Sequence, residues 1–124
     1  MIDIRLTALT CPDCRGPISE SRQGSISEFI CRVGHRYSPD SFLTAHAEMR
    51  EGALWAAVVA LEEGEKVAQV LAMRSTLEVV QCILEQEAIN NARVAGKIRE
   101  LIHSLIQKDS DRLIHGSQDA SLTS

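Results

Sequence analysis

Four residues in the first third of this 124-residue chain have the types and spacing of a metal-binding set. Cys11 and Cys14 flank Pro12-Asp13, and Cys31 is followed four positions later by His35, across Arg32-Val33-Gly34. A Cys-x-x-Cys turn aims two sulfurs at one point, and the Cys-x-x-x-His segment supplies a second pair. Three thiolates and one imidazole complete a tetrahedral shell and leave no position for a reactive water, which is the pattern of a structural zinc. One zinc per chain is therefore expected on Cys11, Cys14, Cys31 and His35. Iron is the chemically allowed alternative, less well suited by the histidine than by a fourth sulfur. A redox Cys-x-x-Cys usually opens a helix, whereas Pro12 and Gly16-Pro17 surround this one with turns.

These ligands need elements to hold them. Residues 4–7 and 26–33 read as short strands, the second with alternating polar and apolar residues up to Phe29. Ile18-Ser19-Glu20 can pair with that strand across a turn at Arg22-Gln23-Gly24, giving a β-hairpin with a knuckle at each end. Residues 1–37 hold few large apolar side chains, too few to offset chain entropy. A structural zinc adds on the order of 10 kcal/mol of folding free energy, so the metal is the expected staple of a zinc-ribbon-like unit over 1–37.

Composition changes near Ser38, after which Ala, Glu, Leu and Val dominate. Ser38 suits an N-cap, Pro39 the first helical position, and Asp40 the positive end of the helix dipole. A helix is expected over 39–74, weakened at Gly52 and Gly64 by about 1 kcal/mol each relative to Ala. Ser75-Thr76-Leu77-Glu78 has the form of a capping box and predicts a second helix over 76–107. Along it Leu77, Val80, Leu84, Glu87, Asn91, Val94, Ile98, Leu101 and Leu105 recur at alternating spacings of three and four, a packing seam with a polar break at Glu87 and Asn91. The expected fold is α+β and mostly α: a small N-terminal hairpin, then a long antiparallel two-helix hairpin over 38–107, then a flexible tail over 108–124. The alternative is one continuous helix in a coiled-coil dimer, because neither Gly nor Pro separates Leu71 from Glu78.

Residues 53–61 are nine consecutive apolar positions on the first expected helix. At 100° per residue they cover its whole circumference, more than one neighbouring helix can bury. This predicts a protein partner or self-association, a homodimeric four-helix bundle for example, around Leu54, Trp55, Val58 and Val59. Charge bears on other partners. The formal net charge is −4; residues 1–37 are nearly balanced, so the acidity lies in the later part. Arg15, Arg22, Arg32 and Arg36, with Phe29 or Tyr37 for stacking, make a zinc-ribbon nucleic-acid module the alternative function, disfavoured by the interspersed acids. Glu48, Glu51, Glu62, Glu63 and Glu65 read as a solvated helix face that can also select a basic partner. Cys82, His46, His103 and His115 belong to no set at ligand spacing. No nucleophile–base pair, phosphate loop or open metal site is legible, so the chain reads as a non-enzyme. No apolar run approaches the roughly 20 residues that span a bilayer, and the first residues lack a signal-peptide pattern; a reducing cytoplasm is the expected setting.

The run Cys31-Arg-Val-Gly-His35-Arg-Tyr-Ser-Pro39, with Cys11-Pro-Asp-Cys14 before it and Ala53-Leu-Trp55-Ala through Leu61-Glu-Glu63 after it, resembles the C-terminal zinc-binding module appended to some CheB-type bacterial chemotaxis protein-glutamate methylesterases. The likeness covers roughly residues 9–107. It implies the same four metal ligands and no catalytic residue, since the methylesterase triad belongs to another domain and no Gly-x-Ser-x-Gly elbow occurs here. A non-catalytic interaction or regulatory module, linked to chemotaxis-type signalling, is the function the resemblance implies.

Overall fold

In the computed structural model the backbone is described for residues 3–122 and the side chains for residues 3–111. Four strands precede two long helices: β1 (Asp3–Thr10), β2 (Pro17–Gln23), β3 (Ile26–Cys31), β4 (Arg36–Tyr37), α1 (Pro39–Arg74) and α2 (Glu78–Leu122). The protein is thus α+β and mostly α. It divides into two units, Met1–Gly52 and Ala53–Ser124, with α1 contributing to both.

The first unit is an antiparallel sheet in the order β1-β2-β3-β4. Gly24, at φ 64°, takes the left-handed conformation that the tight β2–β3 turn requires. From there the register runs through Arg22 opposite Ser27 and Glu20 opposite Phe29 to Ile18 opposite Cys31. β1 extends beyond the expected strand and shifts register between Leu6 and Thr10. Within that irregular stretch the Thr7 hydroxyl donates to the Ile18 carbonyl at 2.8 Å and accepts from the Leu9 N–H at 3.1 Å, satisfying backbone groups the ladder misses. The β1–β2 and β3–β4 connections lie at the same end of the sheet, opposite the Gly24 turn. The core there is small: Cys11, Ile18, Cys31 and Tyr37, with Phe29, Phe42 and Ala45 packed against it.

α1 starts where the capping residues place it. Ser41 donates its N–H to the Ser38 hydroxyl at 3.2 Å, and Ser38 returns its own N–H to the Ser41 hydroxyl at 2.8 Å. Serine thus fills the place glutamate holds in the usual capping box. The helix stops at Arg74, which rules out the continuous rod.

In the second unit α1 and α2 run antiparallel around Val58, Ala95 and Ile102, flanked by Leu54, Trp55, Leu61 and Ile98. The cap of α2 differs from the expected box. Ser75 accepts the Leu77 N–H at 3.3 Å, and the Gln81 side-chain amide donates to the Ser75 carbonyl at 2.6 Å. Leu77 occupies the cap position, its carbonyl accepting from Gln81 N–H at 3.0 Å, so the helix opens at Glu78 rather than at residue 76. It also continues to Leu122 instead of ending near Gln107, so the stretch expected as a flexible tail is helical as far as the backbone is described. The seam is shifted as well. Ala88, Ala95 and Ile102 are buried, and Gln81, Leu84, Asn91, Ile98 and Leu105 are half-buried, whereas Leu77, Val80, Glu87 and Leu101 are exposed. Ala88 and Ala95 are buried, so the contact with α1 runs along the small-residue edge of the stripe.

Candidate metal centre

Two knuckles at one end of the sheet bring the ligands together. In the first, Arg15 donates its N–H to the Cys11 carbonyl at 2.8 Å and Cys11 donates to the Gly16 carbonyl at 2.7 Å. The turn closes only because Arg15 adopts φ 64°, a left-handed conformation uncommon for a residue with a side chain. In the second, Gly34 at φ 108° donates to the Cys31 carbonyl at 3.1 Å, and Cys31 donates to the His35 carbonyl at 3.1 Å. The His35 N–H also points at Cys31 Sγ, 3.3 Å away. Pairing of Ile18 with Cys31 and of Thr10 with Pro17 then sets the knuckles side by side.

The four ligand atoms lie within 4.8 Å of one another. Cys14 Sγ is 3.7 Å from Cys31 Sγ, and His35 Nδ1 is 3.6 Å from Cys11 Sγ and 3.2 Å from Cys31 Sγ. Bond lengths of about 2.3 Å to sulfur and about 2.05 Å to nitrogen give tetrahedral edges of about 3.8 Å (S···S) and about 3.6 Å (S···N). The three measured edges fit such a polyhedron, two closely and the 3.2 Å edge somewhat short, with His35 presenting Nδ1. The 3.7 Å sulfur separation is far beyond a disulfide bond of about 2.05 Å, and all four cysteines are free thiols. The donor set and its spacing therefore suit a structural metal ion, as the sequence spacing predicts.

The electrostatics favour thiolates at Cys11 and Cys31 and oppose one at Cys14. Burial pushes the Cys31 thiol up, but hydrogen bonds from the His35 N–H, its imidazole and the Val33 N–H outweigh it and bring the thiol to about 6. Burial likewise raises Cys11, and the Tyr37 hydroxyl with the Cys14 and Asp13 amides turns the balance downward. Cys14 is lowered by the Gly16 amide yet ends raised, because burial and the neighbouring Cys11 and Cys31 sulfurs disfavour another negative charge. His35 is raised, chiefly by its hydrogen bond to Cys31. A cation at the centre removes the conflict among sulfurs that Cys14 registers.

Sequence reasoning finds the four clustered donors and misses their support. The buried Tyr37 hydroxyl donates to the Asp13 carboxylate and sits 3.4 Å from Cys11 Sγ, a bridge from β4 back to the first knuckle. The sequence reading treats Tyr37 only as a stacking residue; its place two positions after a ligand histidine is the signal that could have found it. Phe42 closes the other side, stacking on Phe29 at 4.8 Å and edge-on to Tyr37 at 5.5 Å. Cys82 is exposed on α2 and His46 on α1, both outside the cluster. His103 sits edge-on to Trp55 at 6.5 Å, while the His115 side chain lies outside the described residues. No described helix is long and apolar enough to cross a membrane. No family model, curated protein or solved structure matches the chain.

Proposed function

We propose that this protein is a non-catalytic interaction module in which a structural zinc ion, held by Cys11, Cys14, Cys31 and His35, folds the N-terminal unit, and the helical hairpin engages a partner. The observation that carries the metal is the convergence of four soft donor atoms within 4.8 Å. The closed donor set argues against metal catalysis, because four protein ligands leave no open position. Thiolate ligands also fit a reducing cytoplasm. The resemblance to the module appended to chemotaxis methylesterases points to a signalling partner. For nucleic acid the support is weaker. Arg36 is paired with Glu28 at 2.8 Å, and Arg22 is paired with Glu20 at 3.5 Å and lies beside the Gly24 turn, away from the knuckles, so the four arginines do not form one basic surface at the site.

Metal analysis of protein purified without added zinc tests the reading, expecting one zinc per chain. Replacement by cobalt is expected to give the absorption of a tetrahedral site of three sulfurs and one nitrogen that added cyanide does not alter. Protein free of metal, or a cobalt spectrum that shifts with added ligand, would overturn it.

A further inference from the structure

Resting on the proposal that the hairpin is the interacting part, we infer that its partner is a second copy of this chain, bound through one defined side of the hairpin. The core of the second unit is too small for the apolar residues it carries. Val58 and Ile102 are its fully buried large side chains, and its other buried positions are alanines. Leu54, Trp55 and Val58, expected at a partner surface, pack within the hairpin instead, leaving Val59 as the well-exposed member of that group. The unit's apolar surplus lies elsewhere.

The two sides of the hairpin differ. On one side Glu62 pairs with Arg99, and a shallow cavity is lined by Glu62, Glu65, Lys66, Gln69 and Arg99 together with small residues of α2. The other side carries Ala57, Ala60, Gly64, Val67 and Leu71 on α1, spaced three and four apart and all uncharged. Gly64 fixes which part of α2 adjoins this row, because a Cβ there would lie 2.7 Å from Asn91 Nδ2. The adjoining row on α2 is Val80, Glu87, Val94 and Leu101, every seventh residue, in which Glu87 is the one charge. Val67 is 51% exposed and Leu101 60%. α2 thus has apolar residues flanking both sides of the Leu84–Ile98–Leu105 line, and α1 of the same chain covers one flank.

Size complementarity and area both point to a copy of the same surface. The Glu62–Arg99 and Gly64–Asn91 approaches set the antiparallel levels, so that small Ala60 and Gly64 lie level with large Leu101 and Val94. A two-fold axis along the hairpin lays each α1 row on the partner's α2 row, small against large twice over, as an isologous contact requires. The face over residues 53–71 rises about 27 Å at 1.5 Å per residue. Two helices about 10 Å apart make it about 20 Å wide, or about 550 Å² flat. A pair of such faces, corrugated by side chains, reaches the roughly 1,200 Å² at which specific interfaces begin.

Sedimentation equilibrium of the zinc-loaded full chain tests this at micromolar concentration. Twice the 13.6 kDa chain mass is expected for the wild type and for Ile89→Lys on the charged side. Val67→Lys with Leu101→Lys is expected to raise the dissociation constant at least about a hundredfold while leaving helix content and zinc unchanged. Because the double variant can fail to fold, a second measurement uses Cys82→Ser protein: mixing Ala60→Cys chains with Leu101→Cys chains is expected to yield a disulfide-linked dimer, and mixing Val59→Cys with Leu101→Cys none. A wild type that stays monomeric at about 100 µM, a dimer indifferent to the lysines, or a dimer without the cross-link overturns the inference. So does an assembly seen only with a different protein. Zinc measured in the same samples separates the two readings: a zinc-loaded monomer refutes only the dimer, a metal-free dimer only the zinc centre.

Discussion

Tyr37 connects the metal site to the rest of the N-terminal unit. Its ring packs on Phe42, and its hydroxyl joins Asp13 and Cys11. Groups that orient a metal's ligands commonly change affinity by about 10- to 100-fold when removed. Tyr37→Phe, which keeps the ring and deletes the hydroxyl, is expected to weaken zinc binding within that range in competition with a chromophoric chelator. Unchanged affinity would mean the hydroxyl is incidental to the site. The clustering of Cys11, Cys14, Cys31 and His35 was legible because metal chemistry restricts both residue type and spacing. Their support was not, because Asp13 and Tyr37 meet only after two knuckles and three strand pairings have formed, and no short spacing encodes that. Arg15 is a similar case: its left-handed backbone follows from closing the Cys11–Gly16 turn, and an arginine carries no sign of it.

Glycines within α1 separate local propensity from packing. Nothing lies within 4 Å of a Cβ built at Gly52, whereas one at Gly64 lies 2.7 Å from the Asn91 amide. Gly52→Ala is therefore expected to stabilise by up to about 1 kcal/mol. Gly64→Ala is expected to gain less or to lose stability, because Asn91 must move out of the seam. Thermal melts of both variants check this, and equal gains would show that Asn91 yields freely. The start of α1 was legible because Ser38, Pro39 and Asp40 act on their immediate neighbours. The start of α2 was legible to within two residues: Ser75 does not cap but turns the chain ahead of the cap by accepting the Leu77 N–H, and Gln81 rather than Glu78 completes that turn. The seam was misplaced by about one residue because hydrophobic periodicity locates the centre of an apolar stripe, whereas the partner helix approached along its alanine edge.

The molecule has two cores with different sources of stability. One contains two of the four clustered donors, Cys11 and Cys31; the other consists of helix side chains alone. Stripping the metal with a strong chelator is expected to unfold the sheet and leave the hairpin's helical signal standing. Amide dispersion by NMR together with far-UV circular dichroism measures both, and loss of the helices at the same chelator concentration would show that the cores are not independent. The position of the knuckles has a consequence for folding accuracy. They sit at the far end of the sheet from the Gly24 turn, so an ion reaches all four donors only when β2 and β3 are aligned along their whole length. A slip of one residue would turn Cys31 to the opposite face. Coordination of the proposed ion would thus act as a proofreading step for strand alignment, rejecting mispaired sheets that so small a core could not tell from the correct one.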